Sequence, residues 1–380
     1  MQRTEQPMGR SARAFIASLA AMAVALLALA PASEAVPAKF WGIVPQSLPA
    51  STTFERMKRG GVDSVRIPIQ WASLQGAPGA KPDWSAVDSS VARATAVGID
   101  VLPFVYGAPA WAVPLAPVPG SGGGAQASLR LPIRGAAGAG WSAFLQLAVA
   151  RYGPSGSFWA ENPGLPARPV RTWQVWNEQN FKYFVVRPNP VEYGKLVQIS
   201  HAAIKAVDPG AKILLGGMFA RPREAEFKRR PRQAYFATEF LDVMYKRTPG
   251  VKAKFDGIAL HPYTTAFQNV APQIEEVRSV MKAHGDAATG LWITELTWSS
   301  GPPDNGFAKG PRGQVKQLKG AFSALTRNAV RWRLKRVYWF SLEDAKGACN
   351  FCDGSGLFTE ALVPKPSWRA FVRFTGGAAG

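Results

Sequence analysis

Eight times along this chain a short run of β-branched and aromatic residues gives way to a stretch with helical spacing, and that alternation constrains the fold most. The runs are Phe40–Val44, Val65–Ile69, Val101–Tyr106, Val170–Glu178, Ile213–Gly217, Gly257–His261, Leu291–Glu295 and Val337–Ser341. Continuous apolar runs of this length read as strands buried on both faces. Between them the spacing predicts helices over Thr53–Arg59, Trp84–Ala96, Gly140–Tyr152, Asn189–Val207, Ala234–Lys246, Ile274–His284 and Val315–Asn328, with a last helix after Pro366. The fourth helix announces its start in Asn189-Pro190-Val191-Glu192: Asn can cap, proline needs no partner at the first position, and Glu suits the first turn. Strands separated by helices run parallel, and eight such units predict an α/β protein built as one (β/α)8 barrel. A doubly wound open sheet is the alternative, but no glycine-rich dinucleotide turn follows any early strand.

The first 35 residues stand outside this pattern. Arg3, Arg10 and Arg13 precede an uncharged apolar run from Ala14 to Ala30, and Ser33-Glu34-Ala35 offers small residues for cleavage. That is the layout of a secretory signal peptide, so residues 1–35 are expected to be removed and 36–380 to form the barrel domain. The other reading is a single membrane anchor, because the run lies at the short limit for a spanning helix. Export implies a secreted or cell-envelope location without stable membrane insertion after cleavage. In that setting the two cysteines, Cys349 and Cys352, can close a small local disulfide that shapes a loop.

Two carboxylates close strand runs: Glu178 after Trp173-Gln174-Val175-Trp176-Asn177, and Glu295 after Leu291-Trp292-Ile293-Thr294. The C-terminal ends of barrel strands carry the catalysts of such folds, and two facing carboxyl groups are the equipment for glycoside hydrolysis. Trp176-Asn177-Glu178-Gln179-Asn180 resembles the Asn-Glu signature at strand four of the clan A glycoside hydrolases, and Thr294-Glu295 resembles their strand-seven nucleophile. Arg66, His261-Pro262-Tyr263 and Trp339 fall at other positions that clan uses, and Gly356-Leu357-Phe358 with Lys365-Pro366-Ser367-Trp368 resembles its closing segment. Within the clan, families thirty-nine and five fit equally. The resemblance implies Glu295 as nucleophile and Glu178 as acid/base, with Arg66, Asn177, His261, Tyr263 and Trp339 in the substrate-binding part of the site. Arg66 and Tyr263 would orient Glu295, Asn177 would reach the sugar 2-hydroxyl, and Trp339 would stack on the sugar. Gln179 stands where proline is frequent in the clan, and Tyr106 closes strand three without the histidine many family-five members show nearby.

Other chemistries find no footing. The three histidines, His201, His261 and His284, lie on separate elements, and no H-E-x-x-H, G-x-S-x-G or phosphate loop occurs. No metal and no cofactor is expected. The formal charge of +20 suggests an anionic neighbour. Nucleic acid is the weakest candidate, since no recognised nucleic-acid module is present. A basic loop from Phe219 to Gln233, with Arg221, Arg223, Lys228, Arg229, Arg230 and Arg232, makes an acidic polysaccharide a candidate substrate. The alternatives to a hydrolase are a barrel that binds polysaccharide without turnover, and an enzyme of exopolysaccharide assembly that trims or transfers chains.

Overall fold

Each of the eight apolar runs contains a strand in a computed structural model of the protein, which describes residues 36–116, 127–222, 225, 228, 232–302, 305–347 and 353–380. The signal segment, Cys349 and Cys352, and Arg223, Arg229 and Arg230 of the basic loop lie outside the described residues. The strands are β1 (Trp41–Val44), β2 (Ser64–Gln70), β3 (Asp100–Tyr106), β4 (Thr172–Val175), β5 (Lys212–Leu215), β6 (Gly257–His261), β7 (Gly290–Ile293) and β8 (Leu334–Phe340). All pair in parallel with their sequence neighbours. β1 lies against β8 from Trp41↔Val337 to Val44↔Phe340, which closes the ring into the expected (β/α)8 barrel.

The helices that follow the strands are α1 (Ser51–Arg59), α2 (Ser85–Ala96), α3 (Gly135–Tyr152), α4 (Pro190–Val207), α5 (Ala237–Arg247), α6 (Val270–Ala283), α7 (Gly310–Arg327) and α8 (Pro366–Thr375). Asn189 caps α4 as expected, its Oδ1 accepting from the Val191 and Glu192 amides at 2.9 and 3.2 Å. Three helices start four or five residues earlier than their apolar spacing suggests: α3, α6 and α7. Their first turns are rich in Gly, Ala and Pro, which carry little periodicity. The amides of a first turn need no helical partner, so Pro272 and Pro311 are tolerated there. Among the described residues no helix is long and apolar enough to cross a membrane.

Side chains alternate between two cores. Inside the barrel Val44, Leu102, Leu214, Ala259 and Tyr338 pack together, flanked by Trp292 and Phe340. The residues between them in sequence, Ile43, Ile213, Ile258, Val337 and Trp339 among them, face the helices and join a much larger cluster. Glycine makes room for the inner aromatics. A Cβ at Gly42 would sit 2.3 Å from the Tyr338 ring, and one at Gly257 would sit 2.2 Å from the Trp292 ring. The lower end of the barrel is tied by Asp100, which binds Lys39, Arg168 and Arg336 at 2.9, 2.5 and 3.0 Å. Packing therefore fills the lower interior and leaves the C-terminal end for polar side chains.

A branched side chain at Gly42 has nowhere to go. Gly42→Val is expected to lower stability by about 1–3 kcal/mol through overpacking, read as a fall in the urea midpoint at unchanged slope; an unshifted midpoint would show that the inner core is looser than described.

Candidate active site

The chain after β4 turns sharply before it reaches Glu178. Trp176 and Glu178 both have left-handed backbone angles, with φ of 71° and 38°. Such angles are costly for residues with bulky side chains and persist only where the surroundings fix them. Here the Trp176 amide donates to the Val105 carbonyl and the Glu178 amide to the Gly217 carbonyl, at 2.8 and 3.0 Å. The Trp176 indole donates to the Phe184 carbonyl at 2.8 Å. Asn180 then clamps the next loop: its amide nitrogen donates to the Phe219 and Tyr235 carbonyls and its oxygen accepts from the Phe219 amide. The result is a rigid turn that aims Glu178 at the barrel axis.

Glu295 arrives more simply, two residues beyond the end of β7. A carboxylate oxygen of Glu178 and one of Glu295 lie within 4.8 Å of each other, and each residue is about nine-tenths buried. Arg66 is the hub beneath them. Fully buried on β2, it donates from Nη1 to Glu295 Oε1 at 2.5 Å, from Nη2 to Asn177 Oδ1 at 2.6 Å and from Nε to Gln174 Oε1 at 2.7 Å. Its guanidinium carbon lies 3.9 Å from the centre of the Phe104 ring, an added cation–π contact. The Tyr263 hydroxyl donates to the other Glu295 oxygen, Oε2, at 2.7 Å.

His261, at the end of β6, serves Glu178. Its Nδ1 lies 2.8 Å from Glu178 Oε1 and its Nε2 lies 2.9 Å from Thr294 Oγ1. The ring fits only because residue 217 is glycine, since a Cβ there would stand 1.9 Å from Nε2. Burial, and then the nearby Arg66 charge, push the imidazole pKa well below its usual value, so the ring is neutral. One ring nitrogen is then a donor and the other an acceptor.

The two carboxyl groups feel opposite surroundings. Burial, and then the charge of Glu295, hold Glu178 well above the usual carboxylate range, with Arg66 opposing. Burial leaves Glu295 above its ordinary value too, but less far, because Arg66 and the Tyr263 hydroxyl oppose it. Glu295 therefore ionises first and Glu178 keeps its proton. Burial, with both carboxylates nearby, also holds Tyr263 well above the usual phenol range, so it remains a donor. By distance alone Glu178, His261 and Glu295 could also ligate a cation. The fixed guanidinium against Glu295 works against a second positive charge there.

The structure brings Glu178, Glu295, Arg66, Asn177, His261 and Tyr263 together, but departs from the expected substrate-binding set at Trp339. Arg66 and His261 are sealed from solvent and hold the two carboxyl groups in place. Trp339 is not at the mouth. It is fully buried on the helix side of β8, 6.0 Å from Phe322 of α7, with its indole donating to the Ser355 carbonyl at 2.9 Å. Strand alternation turns Tyr338 and Phe340 inward instead, and the half-buried Phe340 is the aromatic of this strand at the mouth. Sequence reasoning also missed Gln174 and Thr294, which hold Arg66 and His261. The signal for Gln174 was present: a lone amide inside an apolar strand needs a buried partner.

No family model and no curated protein matches the sequence. Several solved structures share its fold. A family 39 glycoside hydrolase from Bacteroides cellulosilyticus WH2 superposes with a TM-score of 0.62 at 19% identity, over 90% of this chain and 64% of that one. A glucosidase from Croceicoccus marinus gives 0.63 at 15% identity, over 90% and 68%. A family 5 subfamily 18 protein from Bifidobacterium longum subsp. infantis gives 0.59 at 15% identity, over 89% and 78%. This chain thus spans less than two thirds of the first of these, and at such identities the likeness establishes the shared barrel.

Because the folded state holds a proton on Glu178 that the unfolded chain releases near its ordinary pKa of 4.5, ionisation costs stability as the pH rises through the folded pKa. Glu178→Gln is expected to match the wild type in thermal midpoint below about pH 4 and to exceed it increasingly as the pH rises toward the raised folded pKa. A gap that narrows with rising pH would contradict the raised pKa.

Proposed function

We propose that this protein is a retaining glycoside hydrolase, exported by its N-terminal signal, that cleaves O-glycosidic bonds of an oligo- or polysaccharide. The observation that carries the reading is the buried carboxyl pair, within 4.8 Å at its nearest oxygens, with one member proton-holding and the other ion-paired. Retaining enzymes keep their two carboxyl groups about 5–5.5 Å apart, whereas inverting enzymes need about 6.5–9.5 Å to admit a water between them. The spacing here favours direct attack by a carboxylate.

In the first step Glu295 attacks the anomeric carbon while Glu178 gives its proton to the glycosidic oxygen. The bond to the leaving sugar breaks as the ester bond to Glu295 forms, and the leaving group departs as an alcohol. Arg66 and Tyr263 hold the two oxygens of Glu295 and fix its orientation. Once esterified, Glu295 no longer carries the charge that raised Glu178. Glu178, now a carboxylate, takes a proton from water, whose oxygen attacks the anomeric carbon and releases Glu295. Asn177 accepts from Arg66 through its oxygen, which leaves its amide nitrogen to donate to the sugar 2-hydroxyl. Phe340 supplies the apolar wall for the sugar ring in place of Trp339.

The test is release of reducing sugar from a panel of soluble polysaccharides and aryl glycosides by the mature protein and by Glu295→Gln. Turnover by the wild type with a loss of 10³-fold or more in the variant, on the order of removing a covalent nucleophile, is the expected result. Glycan binding without any turnover would instead make this a non-catalytic barrel, and transfer to an added sugar in preference to water would make it a transglycosylase.

The pH profile of kcat/KM should be bell-shaped, with Glu295 setting the acid limb and Glu178 the alkaline limb. Tyr263→Phe removes a donor from the Glu295 carboxylate, so the acid limb moves to higher pH while the alkaline limb stays nearly in place. Movement of the alkaline limb alone would reverse the assignment of the two carboxyl groups.

A further inference from the structure

Several described cations on the outside of the barrel have acidic partners. Arg151 binds Asp88 and Glu161, Arg221 binds Glu276, Arg331 binds Glu275, and Lys246 binds Asp242. The adjoining pair α7 and α8 stands out by composition. Neither helix contains an Asp or Glu, yet together they carry Arg312, Lys316, Lys319, Arg327, Arg369 and Arg373. Between them lies a cleft of about 400 Å³ at the start of α8, lined by Lys319, Arg369 and Arg373 with Val315 and Ala370 as its apolar floor. Lys365 also lines it, but is buried and neutralised by Asp344 at 2.7 Å. Lys319, Arg369 and Arg373 are exposed and lie in no ion pair among the described residues.

We propose that this cleft is a second carbohydrate site, which holds a uronate-bearing polysaccharide strand on the flank of the barrel, outside the catalytic mouth. The inference rests on the hydrolase reading for its choice of ligand, and on charge and shape for its place. Arg369 and Arg373 are one helical turn apart on one face, about 5–6 Å at their Cβ atoms, comparable to the advance of one sugar along an extended chain. Each guanidinium offers a planar fork that matches a carboxylate, and Lys319 closes the opposite wall as a point charge. The apolar floor suits the C–H face of a sugar ring. A concave cleft favours a polymer segment over a planar membrane, to which cations on a convex face would be better suited. Such a site would hold an acidic chain near the enzyme while other segments of it enter the mouth, raising their effective concentration.

The test uses the full mature chain carrying Glu295→Gln, so that the probe is not consumed, and measures Kd for a galacturonate hexamer and for a neutral xylose hexamer. The triple change Lys319→Ala, Arg369→Ala, Arg373→Ala is expected to weaken hexauronate binding about tenfold or more, as three exposed ion pairs would, and to flatten its salt dependence. A control triple, Lys195→Ala, Lys212→Ala, Lys282→Ala, removes the same charge from exposed sites elsewhere and should leave Kd within about twofold. Equal weakening by both triples would reduce the effect to net charge and overturn the site, as would no binding of the hexauronate. Loss of binding to vesicles with phosphatidylglycerol, with hexauronate binding unchanged, would overturn it in favour of a membrane surface. In the background that retains Glu295, the cleft triple should keep full turnover of a small neutral aryl glycoside. A protein that binds hexauronate through the cleft but turns over nothing would refute the hydrolase reading alone.

Discussion

One guanidinium organises the C-terminal end of this barrel. Arg66 enters from β2 with no solvent contact and satisfies three groups from β4 and from the chain beyond β4 and β7. A buried cation is costly unless paired and hydrogen-bonded, and removing one partner leaves an uncompensated charge. The barrel meets that demand by surrounding Arg66 with one carboxylate, two amide oxygens and the Phe104 ring. The same contacts fix Asn177 and Glu295 relative to each other although they lie on different strands. Positioning and stabilisation thus follow from a single requirement, that this charge be neutralised in a dry interior.

The asymmetry between the two carboxyl groups follows from where Arg66 points. Both are buried, and burial alone would raise both. The fork reaches Glu295, whose remaining oxygen is held by Tyr263, whereas Glu178 meets the neutral imidazole of His261. Charge and hydrogen bonding therefore split two chemically identical side chains into an ionised and a protonated one, which is what acid–base work on a shared substrate requires. His261 depends in turn on Thr294 and on the bare backbone at Gly217. The proton affinities of the pair thus rest on groups sealed from solvent.

Much of this was legible in the chain. Alternating strand and helix patterns gave the barrel, because a buried parallel strand and an amphipathic helix have different periods. Carboxylates closing apolar runs stood out because a charge at the end of a buried strand needs a reason. The misplacement of Trp339 has an equally local cause. Its neighbour Phe340 is also aromatic, and composition says nothing of which of two adjacent aromatics faces inward. Register decides that: Tyr338 stands opposite Gly42, where a glycine vacates the space, so Trp339 must turn to the helices and Phe340 to the mouth. The starts of α3, α6 and α7 were hidden for a related reason, since first turns rich in small residues and proline carry too few large apolar side chains to show a stripe.

The sequence by itself determined the order and type of elements, and it put the two carboxylates at the C-terminal ends of strands four and seven, since both are properties of near neighbours in the chain. Tertiary structure alone decided the pairings that give those residues their chemistry. Arg66 and Glu295 are separated by 229 positions and His261 and Glu178 by 83, and only ring closure brings them within hydrogen-bond reach. Proton affinity in a buried site depends on distance, burial and the charge next door, quantities that exist only once the barrel is closed.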